Sequence, residues 1–201
     1  RQENDFSKIQ ARFANRMPLN SADVAEVIQK RLLKKTELGV ESLSDLYRRE
    51  SNNMRTLFDF ADGSIHLKNF EDRDHFIHSY PFIPYQYSLF QMAIQGLSQH
   101  NAFEGRHSSV GERSMLGVFQ EVAIHLAELA LGQIATFDLM FEGIRTALKS
   151  SVQQSIQIAE RNLGDEFATR ILKALFLVKY VKPFKPTARN IAILMREKFD
   201  E

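Results

Sequence analysis

The stretch HSSVGERSMLGVFQEVAIHLAELAL, residues 107–131, has the apolar spacing of an amphipathic α-helix. Ser109 and Glu112 match a capping box, which predicts that the helix begins there, and Gly132 is predicted to end it. Its buried face is predicted from side chains that recur every three or four residues: Met115, Leu116, Val118, Phe119, Val122, Ala123, Leu126 and Leu129. This long helix favours an α-helical fold for the chain.

The same spacing continues outward from this stretch in both directions. Helices are predicted over residues 5–13, 20–35, 42–53, 71–80, 84–100, 135–147, 150–161, 166–181 and 187–199. Asp62-Gly63 stands between two apolar alternations and indicates either a small β-hairpin or an irregular loop. The prediction is a mainly all-α helical bundle, with that hairpin as its one candidate β element.

The amino-acid composition limits the class of protein to which this chain can belong. The chain has 201 residues, 44% hydrophobic and 25% charged, which is ordinary for a globular protein. It has no cysteine, which excludes disulfides and a cysteine nucleophile and fits a cytoplasmic location. No apolar run approaches the ~20 residues of a membrane span, so no membrane partner is predicted. The first residue is Arg1 and not methionine, from which we expect an internal piece of a longer protein.

The turn Asn162-Leu163-Gly164-Asp165 predicts two units, residues 1–161 and 162–201. The net charge of +1 is too small to attract nucleic acid globally, so such binding would need a local patch. The second unit supplies one in Lys182, Lys185 and Arg189. Its two helices and short turn are typical of a helix-turn-helix that contacts DNA. The alternative is a helical hairpin whose lysines simply face solvent.

Catalytic and metal-binding patterns are weak. His75 and His78 lie three residues apart, beside Asp72 and Asp74, which could face a metal ion from one side of a helix. A solvated helix face is the favoured interpretation, and no metal site is predicted. The chain also lacks the G-x-x-x-x-G-K-[ST] motif that cradles phosphates. We therefore predict that it is not catalytic by itself.

Arg113 lies in the first turn of the long helix, where the helix dipole disfavours a cation. It could pair with Glu112 or another acid at the surface. Alternatively, the arginine could bind an anion, because backbone N–H groups and a guanidinium converging at a helix start bind phosphate well.

Four stretches together resemble a known family. They are QENDFSKIQARFANRMPLNSADVAEVIQKRLLKK (residues 2–35), YPFIPYQYSLFQ (80–91), HSSVGERSML (107–116) and LFLVKYVKPFKPTARNIAILM (175–195). Their order along the chain resembles the large P-loop ATPase of bacteriophage-exclusion (BREX) systems, the BrxC/PglY family. The resemblance implies an AAA+-like parent that binds ATP and Mg²⁺ upstream of Arg1. It also implies an extended helical lid followed by the beginning of a winged helix.

The resemblance carries over to single residues. IQARF is similar to the segment that presents an arginine finger, which nominates Arg12 and, second, Arg16. VGERSML is similar to a Gly-Asp-x-Arg run of related initiator ATPases, which makes Arg113 a candidate lid sensor of the γ-phosphate. The implied partners are the rest of the parent ATPase, other phage-defence subunits, further copies of an oligomeric parent, and DNA. Two alternatives stay open: a helical protein-interaction domain without a nucleotide role, and a DNA-binding helical domain.

Overall fold

A computed structural model of the chain describes residues 21–61, 65–105 and 112–200, with the backbone alone for Ser21 and residues 112–114. This part of the chain is mainly α-helical, which confirms the predicted fold class. Its helices are α1 Ser21–Arg31, α2 Glu37–Leu57, α3 Arg73–Ser79, α4 Pro84–Gln99, α5 Glu112–Ala127, α6 Leu139–Arg145, α7 Ser150–Leu163, α8 Glu166–Val178 and α9 Ala188–Leu194. No strand occurs within these residues, only the isolated bridges Phe103–Leu148 and Gln133–Lys198.

Helix α4 forms the centre of the bundle and packs against α1 and α8. Pro84 stands at its first turn, where a missing N–H costs nothing, and Ile83 precedes it in an extended conformation. The fully buried Gln86 accepts a hydrogen bond from the Ile83 N–H at 3.0 Å and donates one to the Ala135 carbonyl at 2.6 Å. This side chain therefore fixes both the start of α4 and the segment that leads into α6.

Helices α5 and α6 approach closely because Gly143 has no side chain. A Cβ added to Gly143 would lie 2.6 Å from Cγ2 of Val118, well inside van der Waals contact. Behind that contact, Phe119 is fully buried; its ring stacks on Tyr87 at 5.0 Å and meets Phe82 at 4.8 Å. The buried face predicted for this helix is buried at Met115, Val118, Phe119 and Val122 and half-buried at Leu116, Ala123 and Leu126. Leu129, beyond the end of α5, is 42% exposed.

Two predicted helices are shorter in the structure. Residues 135–138 are not helical, because the Ala135 and Phe137 N–H groups donate to the carbonyls of Pro81 and Leu194 at 2.9 and 2.8 Å. Helix α9 ends at Leu194 rather than near Phe199. Residues 196–199, here called the terminal strap, instead run beside residues 133–134, with the Ile134 N–H donating to the Glu197 carbonyl at 2.8 Å.

Other boundaries also differ from the sequence prediction. Helix α2 begins at Glu37 rather than Ser42, because Thr36 caps it by accepting the Gly39 N–H at 3.1 Å. Helix α5 ends at Ala127, before Gly132. The predicted helix over residues 5–13 and the Asp62-Gly63 turn lie outside the described residues. Residues 59–61 and 65–71, on either side of that turn, form neither helix nor strand.

The aromatic core joins distant parts of the chain. The Phe199 ring of the terminal strap lies 5.8 Å from the Phe76 ring and 6.3 Å from the Phe58 ring, edge to face. Leu177 and Leu194 are fully buried in the same hydrophobic cluster as α1 to α4. Residues 162–200 therefore share one core with the earlier helices, while the proposed boundary at residue 162 stays a prediction. None of the helices in the described ranges is both long and apolar enough to cross a bilayer.

Candidate functional site

The three arginines nominated for nucleotide sensing lie largely outside the described residues. Arg12 and Arg16 precede Ser21, and the side chain of Arg113 is not described. Helix α5 begins at Glu112, so the backbone of Arg113 is in its first turn. The next turn is anchored by Met115 and Val118, each 2% exposed. The roles of these arginines stay predictions.

The basic connector, residues 179–187, joins α8 to α9 and carries Lys179, Lys182 and Lys185. All three lysines are exposed, whereas Val181 and Phe184 between them are each 4% exposed. The two buried side chains anchor the connector to the core, so the lysines project outward. No acidic residue occurs from Lys179 to Arg196. The connector is therefore locally cationic in sequence.

Asn190 holds the connector in place. Its side chain is fully buried; Oδ1 accepts from the Ala61 N–H at 2.9 Å, and Nδ2 donates to the Lys185 carbonyl at 2.8 Å. The Ile65 N–H donates to the Pro183 carbonyl at 3.3 Å. These bonds fix the connector backbone against the segment that follows α2.

Helix α9, the second helix of the predicted helix-turn-helix, is mostly embedded in the core. In a DNA-binding helix-turn-helix the second helix is the recognition helix. The exposed positions of α9 are Ala188, Arg189 and Ala192. A recognition helix presents three or four side chains to base edges, whereas α9 presents one polar side chain, Arg189. The arrangement suits contact with phosphate, which Lys182, Lys185 and Arg189 can make, and not base reading by α9.

A stacked aromatic pair joins Tyr180 of the connector to His100, which follows α4. The rings of His100 and Tyr180 lie 3.8 Å apart between centroids and are 11° from parallel. Gly96 makes room for this pair, because an added Cβ there would lie 2.9 Å from Cβ of Tyr180. Lys179 Nζ lies 5.1 Å from the centroid of the Tyr180 ring, within cation–π range.

A charged cleft of about 390 Å³ opens between α5, α6 and α8, and its lining includes His125, Glu166 and Arg170. Arg170 donates from Nε to Asp138 Oδ2 at 3.0 Å, and its other nitrogens donate to Glu197 and Thr136. Burial lowers the pKa of Arg170, but the hydrogen bonds with Asp138 and Glu197 more than offset it, so the pKa is raised. Arg170 is therefore a structural cation whose guanidinium is bonded to Asp138, Glu197 and Thr136.

A second charge network lies next to this cleft. Arg145 and Lys173 both approach Glu160, with N–O distances of 2.6 and 3.3 Å. The hydrogen bond from Arg145 is the main reason that the pKa of Glu160 is lowered. Lys173 also pairs with Glu142 at 2.6 Å. These pairs join α6, α7 and α8, and both cations have acidic partners within the fold.

The histidine pair does not assemble a metal site with its neighbours in the described residues, where no group of three metal-ligating side chains occurs. His75 is half-buried, and its Nδ1 accepts the Glu71 N–H at 3.2 Å. Asp72 caps α3 by accepting the His75 N–H at 2.7 Å. His78 is exposed on α3.

Sequence reasoning found the cationic residues of the connector but not its aromatic neighbours or the Arg170 network. His100 and Tyr180 are eighty residues apart in the chain, and no local pattern links them.

Comparison with known proteins assigns no family or function: no family model matches the chain, and no solved structure matches it.

Proposed function

We propose that this chain is a regulatory, non-catalytic segment of a large AAA+-like ATPase of a BREX phage-defence system. It corresponds to an extended helical lid in a cytoplasmic parent that binds ATP and Mg²⁺ elsewhere in its sequence. The observation that carries the proposal is the order of the four family-like stretches, one of which contains Arg113. The partners would be the rest of the parent, further parent copies and other defence subunits.

The start of α5 supports a sensor role for Arg113. In the described residues α5 begins at Glu112, so the backbone of Arg113 lies in the first turn, where helix N–H groups have no intrahelical partner. A guanidinium and these N–H groups together form an anion-binding arrangement suited to the γ-phosphate. Met115 and Val118, each 2% exposed, pack the next turn of α5 into the core.

The test is ATP hydrolysis by the full-length parent carrying Arg113→Ala or Arg12→Ala. A charge-assisted hydrogen bond contributes about 1.5–3 kcal/mol, so its loss slows hydrolysis roughly 10- to 150-fold. Arg49→Ala, at an exposed arginine of α2, is the matched control. Hydrolysis that is equal in the Arg113 and Arg49 variants would contradict the sensor role and favour a helical interaction domain.

A second candidate function is contact with nucleic acid through Lys182, Lys185 and Arg189. All three side chains are exposed, and the stretch from Lys179 to Arg196 contains no acidic residue, which favours such contact. Replacing all three by alanine should weaken binding to DNA, and wild-type binding should fall steeply with salt. A triple variant of Lys30, Lys34 and Arg73, which are exposed cations of α1, the following loop and α3, controls for net charge. Equal loss in both triple variants would contradict a defined patch.

A further inference from the structure

We propose that the surface where α4 and α8 end binds single-stranded nucleic acid, with His100 as a stacking platform for one base and Lys179 and Lys182 as phosphate contacts. This inference rests on the second candidate function, nucleic-acid contact. It adds the kind of strand that is bound and a residue outside the basic connector.

The His100 platform is held in place by its neighbours in the fold. Tyr180 is half-buried and stacks on His100 at 3.8 Å, which holds the imidazole plane in one orientation. Gly96 lets Tyr180 lie against α4, since a Cβ would also meet the Tyr180 carbonyl oxygen at 3.1 Å. His100 itself is exposed, as a side chain that stacks on a base must be.

Two cations lie close to Tyr180. Lys179 directly precedes Tyr180, and Lys182 follows it by two residues, so the Cα atoms of Tyr180 and Lys182 are at most ~7 Å apart. Both lysines are exposed, and Lys179 also lies over the Tyr180 ring. A cation at the end of α8 is favourable to the helix dipole, which explains Lys179 structurally. Lys182 lies beyond that helix end, on the connector.

A single strand fits these features better than a duplex does. An unpaired base exposes its π-face to an aromatic side chain, whereas the bases of a duplex cover one another. Reading a duplex would require several side chains in a groove, and α9 exposes only Arg189 as a long polar side chain. Single-strand binders combine a cationic path with stacked aromatic side chains, and this surface has both.

The test is fluorescence anisotropy with the 201-residue chain, a labelled 20-nucleotide oligothymidine and a 20-base-pair duplex at low salt. The wild type should bind the single strand more tightly than the duplex. His100→Ala should weaken single-strand binding about fivefold or more, leave duplex binding unchanged, and be partly rescued by His100→Tyr. Lys182→Ala should weaken binding and reduce its salt dependence. His78→Ala, at an exposed histidine of α3, is the matched control.

Duplex binding as tight as single-strand binding would overturn the inference, as would His100→Ala behaving like His78→Ala. Either result leaves nucleic-acid contact by the connector standing. Failure to bind both probes overturns the inference and the nucleic-acid function together, and leaves the ATPase proposal to the Arg113 experiment. Melting temperatures of each variant exclude unfolding as the cause of a loss.

Discussion

Arg170 on α8 donates from Nε to Oδ2 of Asp138, at 3.0 Å, and so ties α8 to the segment before α6. The Asp138 side chain is 4% exposed and that of Arg170 is 25% exposed. An almost fully buried carboxylate needs a partner, because its charge is otherwise desolvated without compensation. The Asp138–Arg170 pair therefore compensates the desolvation of Asp138 and allows the segment before α6 to be buried.

We expect Asp138→Ala to destabilise the chain. Breaking a fully buried pair by removing one partner costs about 3–5 kcal/mol, and Arg170 here keeps some exposure and its bond with Glu197. The expected loss in the free energy of unfolding is therefore about 2 kcal/mol, measured by urea denaturation. Asp45→Ala, which breaks an exposed pair with Arg48, should cost less than about 0.5 kcal/mol. Equal costs would contradict the structural role of the buried pair.

Gly143→Ala should destabilise the contact between α5 and α6. The new Cβ would lie 2.6 Å from Cγ2 of Val118, and overpacking of this kind costs about 1–3 kcal/mol. Adding Val118→Ala should recover part of that cost, because the two changes share one contact. At Gly117 of α5 nothing lies within 4 Å of an added Cβ, so Gly117→Ala should stabilise by about 0.5–1 kcal/mol. Thermal melts of these three variants and of Val118→Ala alone check both predicted changes in stability, and a stabilising Gly143→Ala would contradict the close approach.

Asn190→Ala should loosen the basic connector. It leaves the Ala61 N–H and the Lys185 carbonyl without their present partner, at a cost of about 1–3 kcal/mol for each group that stays buried. Hydrogen exchange at the Ala61 amide should accelerate accordingly. Asn53→Ala, which removes an exposed bond with Glu50, should change neither stability nor that amide. Unchanged protection of Ala61 in the Asn190 variant would contradict this role.

Stability should rise between about pH 8 and pH 10 because of Lys35. Its Nζ donates to the Leu33 and Tyr80 carbonyls at 2.6 and 2.7 Å, and burial lowers its pKa from 10.5 to about 8. In this pH range the unfolded chain binds more protons than the folded chain, so the free energy of unfolding increases with pH. Lys35→Met should remove that increase, whereas Lys34→Met, at an exposed neighbour, should keep it.

At still higher pH the trend should reverse. Burial raises the pKa values of Tyr85 and Tyr87, so these phenols stay protonated in the folded chain while the unfolded chain ionises. The unfolded state then binds fewer protons, and stability falls above about pH 10. Urea denaturation at pH 7, 8, 9, 10 and 11 checks both parts, and a flat profile from pH 8 to 10 would contradict the assignment to Lys35.

Some helix boundaries set by local chemistry were predicted from the sequence, although the Thr36 cap of α2 was missed. Pro84 begins α4 as a first-turn proline should. Gly164 follows α7 with φ of 61°, a conformation that favours glycine, and Asp165 then caps α8 by accepting the Ala168 N–H at 2.6 Å. In each case the deciding residue is at the boundary itself.

Boundaries set by distant partners were not predictable in the same way. Ala135 and Phe137 are apolar and were predicted to lie in a helix, yet their N–H groups bond to carbonyls more than fifty residues away. The candidate site divides likewise. The exposed lysines of the connector follow from its acid-free sequence, whereas the His100–Tyr180 stack depends on two helix ends meeting in space.

The terminal strap has a consequence for synthesis on the ribosome. Phe58 and Phe76 meet the Phe199 ring, and these residues leave the ribosome long before Phe199 does. Domains begin to fold from their N-terminal part as they emerge, at about 5–20 residues per second. Helices α2 and α3 can therefore form early, but Phe58 and Phe76 lack their contact with the Phe199 ring until the strap has been synthesised. We expect a nascent chain stalled before the strap has emerged to expose that cluster to chaperones and proteases, and a chain stalled after the strap has emerged to be protected.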